Sequence, residues 1–400
     1  MKITNDIKNF KLQQMNNSTL LKILMLLLFC KIGSIYAQET AQIKELVIDS
    51  KVLQQKRPIY IYLPAEYEER ELVSFDVIYV FDAQHRAIFD LVHAAMDCIS
   101  FKKKFIVVGI SSPAYVEQEY YRNSDFLPKP INVSLEEYNT DKPNAENFWR
   151  FIQEEVMPFV TTNFRTSTEN YAVGHSLSAS FILDKAIKTK ETFKGTICIS
   201  PNLAYDKNRL LEDFTNFNFE ETLDPKFIYI SEANEKEIFG KKWEESYDKL
   251  NEFIEKSANL GKYSLVYKEF PTYNHLKTVL PALSDALELL HLFIEKNPSF
   301  PSGDSKEITI KLTVLNKEDE AYISGNQKSL GNWNPSAVKF NVISDYEREL
   351  RIKVQFPMEF KITKGNWESE VYTNLTTNNA ENILINKLEK DTLHLKITSW

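Results

Sequence analysis

An acyl-transfer centre needs a hydroxyl nucleophile, an imidazole base and a carboxylate that orients the imidazole. Gly174-His175-Ser176-Leu177-Ser178 follows the apolar run Tyr171-Ala172-Val173 and precedes Phe181-Ile182-Leu183. A serine at the joint between a strand and a helix, with small residues two positions to either side, has the pattern of a nucleophile elbow. The second small position is Ser178 where the pattern has glycine. A helix that starts at the serine turns its first N–H groups toward the site, so the Leu177 N–H is a natural oxyanion donor.

In this kind of site the chain order is serine, acid, histidine. His275, His291 and His394 lie downstream of Ser176. His275 stands in Pro271-Thr272-Tyr273-Asn274-His275, after the strand-like Ser264-Leu265-Val266-Tyr267 and before the helical pattern Leu280–Glu295. That is where the base belongs; His291 falls within the apolar pattern of the helix and reads as a packed residue. The acid should follow the strand Phe227–Ile230, where Ser231-Glu232-Ala233-Asn234-Glu235 offers two carboxylates. Glu235 clears the strand end by more and is the candidate, with Glu232 as runner-up. A second oxyanion donor should come from the turn Asp82-Ala83-Gln84-His85, through the N–H of Ala83 or Gln84, with Ala83 placed first. Asp82 reads as fixing this turn. No His-rich metal spacing or Gly-rich phosphate loop is present, so the expectation is a site with no metal and no cofactor.

The elements that must position these groups alternate along residues 42–298. Ile59–Leu63, Val77–Phe81, Phe105–Val108, Thr196–Ile199 and Phe227–Ile230 are short apolar runs. Helical patterns fall between them: Phe148, Trp149, Phe151, Ile152, Val156, Phe159 and Val160 recur at helical spacing, and Lys236–Lys256 is a charged helical stretch. Such alternation predicts an α/β fold, a doubly wound sheet covered on both faces. Residues 299–305 read as a linker, with Pro301, Gly303 and three nearby serines. Beyond it Ile308, Ile310, Leu312 and Val314 alternate with polar residues, as do Leu350, Ile352, Val354 and Phe356. Period-two alternation predicts an antiparallel all-β sandwich over 306–400.

The net charge of −8 and the absence of a basic run in the body of the chain argue against a nucleic-acid partner. Residues 1–37 have the pattern of a secretory signal peptide: Lys2, Lys8, Lys11 and Lys22, the apolar run Leu20–Phe29, then Ser34-Ile35-Tyr36-Ala37. The run is too short to span a bilayer, so no membrane span is expected after cleavage. The expected location is therefore the periplasm or the medium. Cys98 and Cys198, both among apolar neighbours, read as buried thiols.

Residues 42–298 resemble the esterase D-like branch of the α/β-hydrolases, which includes enterochelin and related siderophore esterases, feruloyl esterases, S-formylglutathione hydrolase and mycolyltransferases. The likeness is carried by Arg57-Pro58-Ile59-Tyr60-Ile61-Tyr62-Leu63-Pro64, Val77–Asp82, Val107-Val108-Gly109-Ile110, the Arg…Asp…Pro segment Arg122–Pro128, the helix Phe148–Phe164, the elbow and Ser200-Pro201. Glu235 and His275 fall where that family has its acid and base; Ser178 is the departure. The tail resembles family-20 carbohydrate-binding modules, the starch-binding domains, through Tyr322-Ile323-Ser324-Gly325-Asn326, Leu330-Gly331-Asn332-Trp333-Asn334-Pro335 and Phe360–Glu368. That likeness implies Trp333 and Trp367 as a stacking platform for sugar, with Lys361 and Asn374 as polar contacts. Together the leader pattern and the resemblances imply an exported serine carboxyl-ester hydrolase. It would act on an ester linked to a glycan and could hold polysaccharide through its tail. A siderophore esterase, or a glycan-binding surface protein that has lost activity, is the alternative.

Overall fold

The computed structural model describes residues 41–69, 73–99, 103–112, 121–134, 142–222, 224–257, 260–297, 301–375, 382–388 and 390–400. The leader expected over 1–37 lies outside the described residues. Eight strands form the first sheet: β1 (Gln42–Ser50), β2 (Gln55–Leu63), β3 (Phe75–Phe81), β4 (Phe105–Ile110), β5 (Thr166–His175), β6 (Gly195–Ile199), β7 (Lys226–Ala233) and β8 (Tyr263–Phe270). Their order is β1-β2-β4-β3-β5-β6-β7-β8. The pairs β1–β2 and β2–β4 are antiparallel, and every pair from β4 to β8 is parallel.

The burial patterns explain the arrangement. Every residue of β3 is buried, as a strand covered on both faces must be, whereas β1 at the edge alternates. On one face Val77, Tyr79 and Phe81 pack with Phe148, Phe151, Ile152 and Phe181. On the other, Ile78 and Val80 pack with Phe89 and Val92 of α1 (Arg86–Cys98). The helix before the elbow runs as α2 (Ala145–Phe151), a π-helical turn Ile152–Val156, and α3 (Met157–Asn163). The helix after the elbow is α4 (Leu177–Lys188), followed by α5 (Tyr205–Thr215). The charged stretch expected over Lys236–Lys256 is broken: a helical turn Lys236–Phe239 ends at Gly240, φ +75°, before α6 (Lys241–Lys256). Helix α7 (Val279–Lys296) closes this part, with Ala282, Leu283, Ala286 and Leu287 facing the sheet beside α1.

The tail has its own core, built around Ile310, Ile323, Phe360 and Leu395. Its strands are β9 (Ser302–Thr313), β10 (Tyr322–Gly325), β11 (Val338–Lys339), β12 (Asn341–Val342), β13 (Glu347–Phe356), β14 (Met358–Thr363), β15 (Tyr372–Thr373), β16 (Ile383–Ile385) and β17 (Thr392–Ser399). They form a four-stranded sheet, β11-β10-β14-β16, and a five-stranded sheet, β12-β13-β9-β17-β15.

Three expectations change. The tail is not wholly antiparallel, because its first and last long strands, β9 and β17, pair in parallel. Strand β9 begins at Ser302, inside the stretch read as linker, with Ser302 in register with Phe356; ladder hydrogen bonds ask nothing of side-chain pattern. Cys98 is exposed and only Cys198 is buried, because the buried stripe of α1 is Phe89, Val92 and Met96 and position 98 turns away from it. Among the described residues no helix is long and apolar enough to cross a membrane.

Candidate active site

Strand β5 ends at His175 and α4 begins at Leu177, so Ser176 forms the whole connection. Its backbone sits at φ +62°, ψ −121°, a conformation that costs a non-glycine residue about 1–3 kcal/mol and is held only by its surroundings. Those surroundings are explicit. The Ser176 N–H donates to the Ile199 carbonyl at 2.9 Å. At Gly174 an added Cβ would lie 2.7 Å from the Ser178 carbonyl carbon and 2.8 Å from the Ala179 nitrogen, so glycine is required there. Ser178, the departure from the usual pattern, is fully buried. Its hydroxyl accepts the His175 N–H and donates to the His175 carbonyl, both at 2.9 Å. The serine thus clasps the elbow across the residue it follows by three.

His275 is placed by the turn after β8. The Tyr273 N–H bonds to the Phe270 carbonyl at 3.0 Å, and the Asn234 N–H to the Tyr273 carbonyl at 2.8 Å, which ties this turn to the end of β7. Glu235 lies just past β7. Its Oε2 accepts from His275 Nδ1 at 2.7 Å and its Oε1 from the Ala233 N–H at 3.2 Å. Both side chains are buried. A carboxylate can only accept, so the proton resides on Nδ1 and the Nε2 lone pair is left for chemistry. Glu232, the runner-up, belongs to β7 itself and takes a hydrogen bond from the Tyr267 hydroxyl instead. Burial pushes the Glu232 carboxyl up to about 7, and Glu269, Glu235 and Asp248 push the same way; the Tyr267 bond opposes them.

His175 also belongs to the site. Its Nε2 donates to the His275 main-chain carbonyl at 2.9 Å, and the two rings lie 4.6 Å apart. Burial first, then the nearby His275, lowers the His175 pKa to about 4, so it is neutral near pH 7. Phe239 and Trp243 stack at 4.0 Å and both present edges to the His275 ring, at 4.7 and 5.5 Å. The break at Gly240 is what turns this pair onto His275.

Asp82, φ +67°, starts the second turn. Its carboxylate takes two bonds from Arg122, at 2.7 and 2.8 Å, and one from Gln84 Nε2 at 2.8 Å. The short helix Tyr121–Phe126 that carries Arg122 is anchored by the buried Asp125–Arg57 pair, with bonds of 2.6 and 2.9 Å. Ala83 does not supply a free donor as expected. Its N–H extends the β3–β4 ladder to the Ile110 carbonyl at 3.0 Å, and the His85 N–H is spent on the Asp82 carbonyl. The Gln84 N–H has no acceptor among the described residues. The Leu177 N–H stands in the first turn of α4, where no helical carbonyl lies behind it.

Ser176, His275, His175, Leu177, Asp82 and Arg122 line one cleft of about 710 Å³. Residues 50–268, more than half of the chain, match the sequence profile of the family described as "Putative esterase". The chain belongs to that esterase family. The esterase is also similar to ferri-bacillibactin esterase BesA of Bacillus subtilis (strain 168), 25% identical over 118 residues; the match spans 28% of this chain and 41% of that protein's length. Among solved structures, an IroE-like serine hydrolase from Shewanella oneidensis superposes with a TM-score of 0.51 at 22% identity, covering 63% of this chain and 80% of that one. Siderophore hydrolase EstA from Aspergillus nidulans superposes with a TM-score of 0.51 at 16% identity, covering 64% and 96%. These superpositions share the α/β fold. The matched span 50–268 contains Ser176, Glu232 and Glu235.

Two of the four sugar-site residues expected in the tail have their polar groups engaged within the protein. Trp367 is exposed and Trp333 half-buried at φ +60°. The loop carrying Trp333 is tied to β14 by a 2.7 Å bond from the Thr363 hydroxyl to the Pro335 carbonyl. Lys361 is paired with Glu370 at 2.6 Å. Asn374 gives its side-chain oxygen to the Lys396 N–H at 2.7 Å and lines a separate depression with His394, where neither tryptophan appears. Sequence reading also missed His175 as a partner of His275 and the Phe239–Trp243 wall. Two aromatics four residues apart in a charged helical stretch were the available signal for the second.

Proposed function

We propose that Ser176, His275 and Glu235 form a catalytic triad that cleaves carboxylic esters through an acyl-enzyme. Ser176 Oγ attacks the ester carbonyl carbon while His275 Nε2 takes its proton. The tetrahedral oxyanion is met by the Leu177 and Gln84 N–H groups. On collapse His275 returns the proton to the departing alcohol. Water, deprotonated by the same imidazole, then releases the acid and restores Ser176. The observation that carries the reading is the 2.7 Å bond from His275 to the buried Glu235, in the cleft that also holds the strained Ser176.

The substrate reading is an ester linked to a glycan, met after export of the protein. It is supported by the leader pattern and by the tail's likeness to starch-binding modules, with Trp333 and Trp367 as the sugar-facing residues. The Bacillus subtilis relative favours a second reading, a siderophore ester.

Fluorophosphonate labelling of the mature protein tests the triad. Wild type should label; Ser176→Ala should not, and His275→Ala should label at least about 1,000-fold more slowly. A folded wild type that does not label rules the triad out.

A further inference from the structure

The cleft around Ser176 is walled by hydrocarbon. Ile88 and Leu91 come from α1, Leu276 and Val279 from the His275 turn and the start of α7, and Phe239 and Trp243 from the broken helix. These residues reach the cleft from both faces of the sheet, since α1 and α7 share one core and Trp243 belongs to the other. Leu276, at 71% exposed, and Leu280, at 59%, carry the apolar surface outward from the mouth. Exposed large aliphatic side chains beside a site mark a surface that meets an apolar partner group.

Charge is arranged the opposite way. Among the described residues, the Lys or Arg that lines the cleft is Arg122, and Asp82 matches its charge with two hydrogen bonds. His175 is neutral. The whole chain carries −8. An anionic ester entering this cleft would lose its water and would meet, among the described lining residues, an arginine whose charge Asp82 already matches.

We infer that the cleft selects neutral esters bearing an apolar acyl group of several carbons and rejects anionic ones, metal-charged catecholates included. The inference rests on the triad reading and goes beyond it. Each buried methylene of such a group strengthens binding, and a carboxylate at the same depth forfeits that gain and costs its hydration as well.

The test compares 4-nitrophenyl acetate, hexanoate and hemiglutarate on the mature protein. The expected kcat/KM for hexanoate exceeds that for acetate by about tenfold or more, and that for hemiglutarate by about 100-fold. Leu276→Lys, on an exposed side chain that folding does not need, should shrink the hexanoate-to-hemiglutarate ratio about tenfold. Equal rates for hexanoate and acetate, a hemiglutarate rate matching hexanoate, or a ratio that Leu276→Lys leaves in place would each overturn the inference. So would turnover of an iron-charged tris-catecholate trilactone as fast as hexanoate. In all of those outcomes Ser176 still labels with fluorophosphonate. Loss of labelling with loss of all ester turnover is the failure of the triad reading instead.

Discussion

The imidazole of His175, one residue before the elbow serine, donates its Nε2 proton to the main-chain carbonyl of His275 at 2.9 Å. The chain therefore holds His275 twice, through the ring by Glu235 and through the backbone by His175. Because a carbonyl only accepts, the bond needs Nε2–H; the low pKa of His175 keeps a second positive charge away from the imidazolium that the proposed mechanism forms on His275.

His175→Phe keeps the ring and deletes the donor. It should lower kcat about 10- to 100-fold with little change in KM, because the ester is still bound and only the base is loosened. His175→Gln should recover part of the loss. Steady-state kinetics on a short neutral ester measure both; a KM effect with kcat unchanged would show His175 to act on binding.

His175 also links stability to pH. Its pKa in the folded protein, about 4, lies below the ordinary imidazole value of 6.5. Between those values the unfolded chain binds the extra proton, so this contribution is complete above about pH 6.5 and lost as pH falls toward 4. Urea unfolding across that window should show wild type losing more stability than His175→Phe, by on the order of 1–3 kcal/mol.

The elbow should tolerate little change. Ser178→Ala leaves the buried His175 N–H and carbonyl without their partner and should destabilise the protein by about 1–3 kcal/mol. Gly174→Ala drives a methyl into the backbone of Ser178 and Ala179, and should cost at least about 100-fold in kcat/KM as Ser176 is displaced. Thermal unfolding beside fluorophosphonate labelling separates the two effects.

Two carboxylates three residues apart should give opposite results. Glu235→Gln removes the acceptor that fixes the His275 tautomer and should lower kcat about 10,000-fold, the scale known for the equivalent change in serine proteases. Glu232→Gln should leave kcat within a few-fold. The Glu232 pKa is raised in the folded state, from 4.5 to about 7, so the folded protein binds the extra proton between those values and is disfavoured as pH rises through them. Glu232→Gln should then be the more stable protein above pH 7, by about 1 kcal/mol after screening by water at this partly exposed site, and should lose that advantage below pH 4.5. Denaturation at pH 4 and pH 8 checks the sign.

Much of the candidate site was legible in the chain. Ser176 stands out because an elbow needs small residues at fixed distances, a local demand of the backbone. His275 and Glu235 were reachable because strand ends in a parallel sheet gather at one edge, so the loop after each strand is a short list of candidates. The α/β fold followed from β3-like runs, whose unbroken apolar character admits only a strand covered on both sides. What the sequence could not decide were contacts between segments distant in the chain. Ala83 looked as good a donor as Gln84 until the β3–β4 ladder claimed its N–H. Glu232 and Glu235 differ in which side of the strand end they turn to, and register alone sends one to Tyr267 and the other to His275. Asn374 looked free to meet sugar until the backbone of β17 took its side chain. His175 reaches the His275 carbonyl across a hundred residues, a distance that no local pattern encodes and that only the closing of the sheet brings to 2.9 Å.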